Sequence, residues 1–491
     1  MSIALGLPRG ILPSPEVAMS AGCVSQLVRV QPNNVNTVSS SAQPLLNASG
    51  GYMNNLVFPS QLVQFSIPCG QGKHVWVDSE KSSISFRVNY AVTTAATTAY
   101  ANATAYLQDA ASSWFSRIVH IGPNGQTLDD VVNLHISEHI DHLLNYNTTD
   151  RDNFAAQFGF LAEAGTSSNL TQGHAIDSMT GTLSSTANTY YSYEFPLPSA
   201  LLGKTAKGFF PAGSVNKLDV QLYTNSQVPV SFYSGNGTSN PAGAQVTFTV
   251  DNISLNLWYL TLDSESARML GSPKMHYLHG VTQRTASSTL AAGTSGYINT
   301  LIGLRGKSCR SLFTRFTDTG STGTSNQING VFDSKMPLCS QLNYLLQGKD
   351  RYPQFPHNTQ ILPACTLNRT LMSSEKFKEW EQRSSFIPSQ FFKYVTVGTA
   401  PTAATGYDQW VINAGSSASI NNLCTFLFGE DLRKVHNSSI LDGYDLTISA
   451  NHYLETNILV APSNTQSIFF TGRFDIIFEI DLEQGTINYR M

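Results

Sequence analysis

Charge, patterned cysteine and long apolar runs are all scarce in this chain, and each shortage removes a class of function. Charged residues make up 13% of the sequence. Lysine- and glutamate-rich amphipathic repeats are missing, so a helical bundle is not expected. Bases are thinnest at the front, where residues 1–50 hold only Arg9 and Arg29. An arm that neutralises nucleic acid needs lysines and arginines to meet phosphates. Direct genome binding through the N-terminus is therefore disfavoured, and no sequence-specific nucleic-acid binding is expected. The six cysteines (Cys23, Cys69, Cys309, Cys339, Cys365 and Cys424) are scattered without a Cys-x-x-Cys pair. Zinc-ribbon and thiol-redox chemistry lack their motif. Reduced, buried thiols are the expectation, with disulfides left open. No apolar run approaches the roughly 18–20 residues that cross a bilayer. The opening MSIALGLPRGILPSPEV is interrupted by Arg9 and by prolines, so no signal peptide is expected either.

What is present points to β-structure. Ser, Thr, Asn and Gly abound, and hydrophobic residues at 41% suffice for packed cores. With 491 residues, the chain exceeds the roughly 250–300 at which one core stops growing, so two domains are expected. Gln245–Leu262 (QVTFTVDNISLNLWYLTL) sets Ile253, Leu255, Leu257 and Tyr259 against Ser254 and Asn256. That period of two is a strand with one buried face. Ser467–Tyr489 repeats the pattern at the chain's end, with Phe474, Ile476, Phe478 and Ile480 alternating against Asp475, Ile477, Glu479 and Asp481. Two stretches of similar length, each closed by a strong strand, imply two β-domains in tandem.

Local signals fill in the rest. Ser83–Val92 alternates cleanly, and Pro123-Asn124-Gly125 between two short apolar runs predicts a hairpin. Asp130–Tyr146 carries the best helical pattern in the first half, with Asp129 and Asp130 suited to its N-terminus. Asp263–Leu270 predicts a short helix that Gly271, Ser272 and Pro273 end. In the second half, strands are expected at Thr300–Ile302, Ser311–Phe316, Leu342–Leu346, Ile361–Leu367 and Tyr444–Ala450, and a helix at Ser373–Gln382. The resulting division is an extended N-terminal arm at 1–55, a first β-domain at 56–262, a helical linker at 263–275 and a second β-domain at 276–491.

Three constellations resemble chemistry. His135-x-x-Glu138-His139 has the spacing of an inverted zinc-protease motif, with His142 a turn beyond. No further ligand is evident, and a helix face with His135 and His139 as surface or interface residues is the preferred reading. Gly303-Leu-Arg-Gly306-Lys307-Ser308 ends like a phosphate-binding loop, but the position five before Gly306 is Leu301, so it reads as a turn. Asp475, Glu479, Asp481 and Glu483 could gather around a cation, yet their alternation with apolar residues fits the solvated face of a strand. The aromatics fall at alternating strand positions with few bases beside them, which reads as core rather than a base-stacking surface. No catalytic, cofactor-binding or metal-binding residue is expected, and no enzyme.

Several segments, in this order, resemble the double jelly-roll major capsid proteins of double-stranded DNA viruses, in the Polinton-like and virophage-like branch. They are SRIVHIGPNGQTLDDV with a following DHLLNY, YEFPLPSALLGKTAKGFFPAG before LDVQLY, and FTVDNISLNLWYLTLD. LNYLLQGKDRYPQFP, TFLFGEDLRKVHNSSILDGYDLTI and FDIIFEIDLEQGTI follow in the second half. The resemblance covers roughly residues 55–491. It implies an all-β chain of two tandem eight-stranded jelly-roll sandwiches, with short helices in loops and at the junction. It further implies a homotrimer of pseudo-hexameric outline, tiling with neighbouring capsomers into an icosahedral shell of a virion assembled in the host cell. Penton and minor capsid proteins are the implied partners, and an inner membrane is compatible with them. The alternative is a β-rich trimeric virion spike or a glycan- or receptor-binding surface protein.

Overall fold

The computed structural model describes residues 23–44, 56–94, 100–145, 172–181, 188–234, 245–271, 273–318, 339–352, 427–433, 443–462 and 464–490, with short pieces at 153–154, 157–159, 337, 356, 392–394 and 410–412. The helix expected at Ser373–Gln382, the strand at Ile361–Leu367, and Cys365 and Cys424 lie outside them.

Eight strands build the first roll: β1 (Val24–Val30), β2 (Leu62–Ser66), β3 (Val75–Thr94), β4 (Phe115–Ile121), β5 (Thr127–Val132), β6 (Asn188–Pro196), β7 (Asp219–Thr224) and β8 (Gln245–Thr261). They form two antiparallel sheets, ordered β1-β8-β3-β6 and β2-β7-β4-β5. The second roll comprises β9 (Met275–Leu290), β10 (Gly296–Leu301), β11 (Cys309–Asp318), β12 (Cys339–Leu346), β13 (Asp350–Tyr352), β14 (Phe428–Asp431), β15 (Tyr453–Ile458) and β16 (Gln466–Asp481). Its sheets run β9-β16-β11-β14 and β10-β15-β12-β13. Adding eight to each number of the first roll gives the second, so the same connectivity is used twice. A last strand, β17 (Thr486–Arg490), pairs with the end of β16.

The elements follow from residue pattern. Along β3 the inward positions Ile84, Phe86, Val88 and Tyr90 are all buried, packed beside Phe195 and Phe248 of the same sheet and against Phe115 of the opposite one. The β4–β5 hairpin turns at Gly125, whose φ of +74° is the left-handed conformation the Asn-Gly signal predicted. A bulge interrupts the β8–β3 register between Asp251 and Ser254, where Asn252 takes φ +52°.

Several expectations shift. β1 lies inside the stretch expected as an extended arm; instead it opens the first roll, pairing Val24–Val30 with Leu255–Thr261. β9 starts within the expected linker, after the short helix Ser264–Gly271. The expected helix at Asp130 divides: Asp129 and Asp130 belong to β5, Asn133 breaks the strand at φ +54°, and α1 runs Leu134–Asn145. Asp130 pairs with Arg117 across the hairpin rather than capping a helix. Tyr444–Ala450 is not a strand but a bend with one bridge, Tyr444 to Cys309.

Alternating strand direction means that the chain leaves β1, β3, β5 and β7 at one end of the first roll, where the described parts of the connections after them lie. Three of them contribute a small sheet of Tyr100–Gln108, Gln172–Gly181 and Val230–Ser234. The connections 319–338 and 353–427 leave the matching end of the second roll. The opposite ends carry the turns at 67–74 and 122–126, the 197–218 connection, the 264–271 helix and β17.

Candidate functional site at the junction of the two rolls

The two rolls are welded together along their length. Near the turn-rich end, Ala206–Lys207 of the first roll adds a strand to β9, opposite His279 and Gly280. Gly280 is required there: a Cβ would lie 2.2 Å from the Ala200 carbonyl oxygen. Trp76 of β3 stacks edge-on to His276 of β9 at 5.1 Å. Leu278, Ile476, Phe478, Ile480, Leu482 and Ile487 of the second half join the first roll's core. Near the loop-rich end, Ile136 and Ile140 of α1 pack on Phe313, Leu427 and Phe469 of the second roll. Contacts at both heights, in matching positions, mean that the rolls stand side by side and the same way up.

A buried polar keystone sits between them. Asp129 Oδ2 accepts from the Ala200 amide (2.8 Å) and the Ser199 hydroxyl (3.2 Å), while Oδ1 accepts from Thr282 of β9 (2.6 Å). His120 Nδ1 lies 3.4 Å from Ser199 Oγ. Serine, histidine and aspartate thus meet, but not as a hydrolytic relay. The carboxylate holds the serine rather than orienting the imidazole. Ser199 Oγ also accepts from the Leu201 and Leu202 amides, and the whole group is buried. Burial pushes His120 down to about 4, although Asp129 opposes the shift. The arrangement satisfies both oxygens of the buried Asp129 with donors from the two sides of the joint.

α1 fills the upper half of the joint, so His135 and His139 are interface residues inside the molecule rather than on its surface. The expected protease-like spacing is present, but other charges occupy its place. Lys204 Nζ stands 2.8 Å from Glu138 and 2.9 Å from Asp141, and Asp141 also pairs with Arg473 of β16. An ammonium therefore sits where a metal would have to approach Glu138. His139 Nδ1 and His142 Nδ1 donate to the two oxygens of Asp109, at 2.8 and 2.7 Å. Burial alone would raise the Asp109 pKa, but the two imidazoles outweigh it and hold the carboxyl well below its usual range. Burial pushes His139 down to about 4 against the pull of Asp109. It pushes His135 down to about 4 as well, helped by Arg315 of β11. Among the described residues no group of three or more His, Cys, Asp or Glu side chains is placed to hold a metal ion.

The remaining constellations resolve individually. Of the C-terminal acids, Asp475 is buried, not solvated: Arg310, His279 (3.1 Å) and Ser308 (2.5 Å) surround it. Glu479 pairs with Arg490, Asp481 caps the turn amides of Glu483 and Gln484, and Glu483 reaches Lys274. Gly303–Ser308 is a turn between β10 and β11, where Ser308 ties Gly443 to Asp475. Cys309 and Cys339 are buried thiols, and burial raises both. An open groove of about 590 Å³ lies on the outer face of β1-β8-β3-β6, lined by Arg29, Arg87, Glu194 and Ser254 among others. The Arg87–Asp251 pair (2.7 Å, bidentate) and the Asn256–Glu194 bond (3.0 Å) already engage much of its polarity. Sequence reasoning missed Asp109, Lys204, Arg315 and Arg473, whose partners lie far away along the chain.

No family model matches the chain, and no curated protein matches its sequence. Solved structures do. VP54 of PBCV-1, as fitted into a cryo-EM reconstruction of the virophage Sputnik, superposes over 96% of this chain and 97% of its own, with TM-score 0.51 and 11% identity. A chain of the Sputnik virophage itself matches over 100% of this chain and 93% of that one, with TM-score 0.51 and 11% identity. The fold is a double jelly roll. The mavirus major capsid protein is also similar in outline, at TM-score 0.49 and 10% identity over 100% of this chain and 95% of its own. Both rolls fall within the matched length, as expected from the segments that resembled the family.

Proposed function

We propose that the chain is the major capsid protein of an icosahedral double-stranded DNA virus, acting by self-association and without catalysis. One observation carries the reading: two rolls of identical connectivity lie side by side, joined where residues of the second enter the core of the first. A unit with two equal walls gives a ring of three the outline of a hexagon, and hexagons tile a shell. The same polarity supports an outer surface built from the loop-rich ends, with the turn-rich ends, the 264–271 helix and the last strand turned toward the particle's interior. The sparse charge suits broad contacts, because few ions must be desolvated when capsomers meet. The partners are two further copies, neighbouring capsomers, penton and minor capsid proteins, and the location is the virion.

Electron microscopy of the purified full-length chain tests this. Hexagonally outlined particles that associate edge to edge into sheets or shells are the expected result. Isolated trimers that bind glycans and never tile would instead support a spike or receptor-binding protein.

A further inference from the structure

β1 beside β8 and β9 beside β16 hold equivalent places in the two rolls. Their surroundings differ. β9 carries Ala206–Lys207 of the first roll along its outer edge and has β5 against it, where Thr282 donates to Asp129. No residue from Met275 to Ala286 is exposed. β1 is bonded to β8 along one edge, and among the described residues no strand pairs with the other. Val24, Ser25, Gln26, Leu27 and Arg29 are exposed, Val24 by 59% and Leu27 by 46%. Leu27 lies across from half-buried Trp258 of β8, and cross-strand partners share a face, so the open edge carries an apolar patch. An open edge of this kind is a template for another chain.

The unmatched counterpart belongs to the second roll. β5 ends the sheet β2-β7-β4-β5, and β13 ends β10-β15-β12-β13 in the same way. β5 lies against β9, whereas β13 pairs only with β12 among the described residues and presents Arg351 to solvent. We propose that the β1 side of one copy receives the β13 side of the next, so that the contact made within the chain between β5 and β9 is made again between chains. The inference rests on the capsid reading and deepens it, by naming the two surfaces through which the ring of three closes. Duplication is the reason for choosing a second copy as the occupant. The surface that covers a strand in this position is the β5 edge of the preceding roll, and the chain's other edge of that type is β13. A contact between two different surfaces runs head to tail, and such contacts generate closed rings when the rotation permits. Strand edges and apolar side chains then supply the attachment that β1 lacks within its own chain.

Sedimentation of the full-length wild type beside the double variant Val24→Asp, Leu27→Asp tests the assignment. Both side chains are exposed in the single chain, so the variant should fold with an unchanged urea midpoint. Carboxylates buried without partners should weaken association by roughly a hundredfold or more. The expected result is a 53.4 kDa particle at concentrations where the wild type has three times that mass. A folded variant that stays trimeric overturns the proposal and leaves the ring of three standing. A wild type that is itself a monomer overturns both. Should the variant not fold, a photo-reactive benzophenone side chain in place of Leu27 decides. Covalent dimers joined at the β12–β13 hairpin of a second copy support the contact. Links elsewhere, or within a single chain, refute it.

Discussion

Gly280→Ala probes the weld between the rolls at its tightest point. The added Cβ would lie 2.2 Å from the Ala200 oxygen and 2.9 Å from its Cα and carbonyl carbon. A carbon–oxygen contact normally needs about 3.3 Å, so roughly 1 Å must be found, and from backbone atoms that cannot swing away. Moving β9 off the 199–206 segment loosens the Ala206–Gly280 pairing and the Val281 amide bond to Thr205 (3.2 Å). It also draws Thr282 from Asp129, where the hydroxyl donates at 2.6 Å. Overpacking costs about 1–3 kcal/mol, and a lost hydrogen bond to a charged group about 1.5–3, giving roughly 2.5–6 kcal/mol together. That is a large part of the roughly 5–15 kcal/mol that holds a typical domain folded. Because the damage falls between the rolls, urea unfolding followed by tryptophan fluorescence should change from one concerted transition to two. Gly293→Ala is the control: nothing lies within 4 Å and only its φ of +75° is strained, so about 1–2 kcal/mol is expected with one transition retained. A Gly280→Ala protein within about 0.5 kcal/mol of wild type, still unfolding in one step, would refute the rigid joint.

Further outcomes are expected at other points of the same frame. Thr282→Val keeps the shape but removes a donor to buried Asp129, and should cost about 1.5–3 kcal/mol in urea titration. A change below the error of the fit would show that the keystone contributes nothing. Phe478→Ala empties a fully buried site in the core shared by both halves and should cost about 3–5 kcal/mol, destabilising both rolls together. Destabilisation confined to the second roll would contradict a shared core. Burial raises the Cys309 and Cys339 thiols and pushes Cys69 up to about 12, so the native protein should react with thiol reagents at these positions only after denaturation. Rapid labelling of Cys309 in the folded state would contradict its placement.

Strands whose sequence alternates apolar with polar residues were legible, whereas those without that contrast were not. Ser83–Val92 announced β3, and Ile253–Tyr259 announced the core-facing row of β8. Met275–Leu290, the long first strand of the second roll, gave no such signal. Thr282 and Gln283 on it are both buried, one face against its own sandwich and the other against the first roll, so the period-two contrast disappears. β1 was hidden differently. VSQLVRV is short, mostly exposed, and its partner β8 lies more than two hundred residues on. The joint was out of reach for a related reason. Asp141 and Arg473 are 332 positions apart, and no local pattern pairs them. The histidine spacing on α1 was visible, but only the fold shows that Asp109 claims His139 and His142 and that Lys204 claims Glu138. Asp475 was misjudged because alternation predicts which way a side chain points, not what covers that face.

The central claim is that two equal walls in one chain exist to close a ring of three. Sedimentation of the purified full-length protein tests it most directly. A particle of three times the 53.4 kDa chain mass, unchanged on dilution, is the predicted result. A stable monomer or a closed dimer would contradict it.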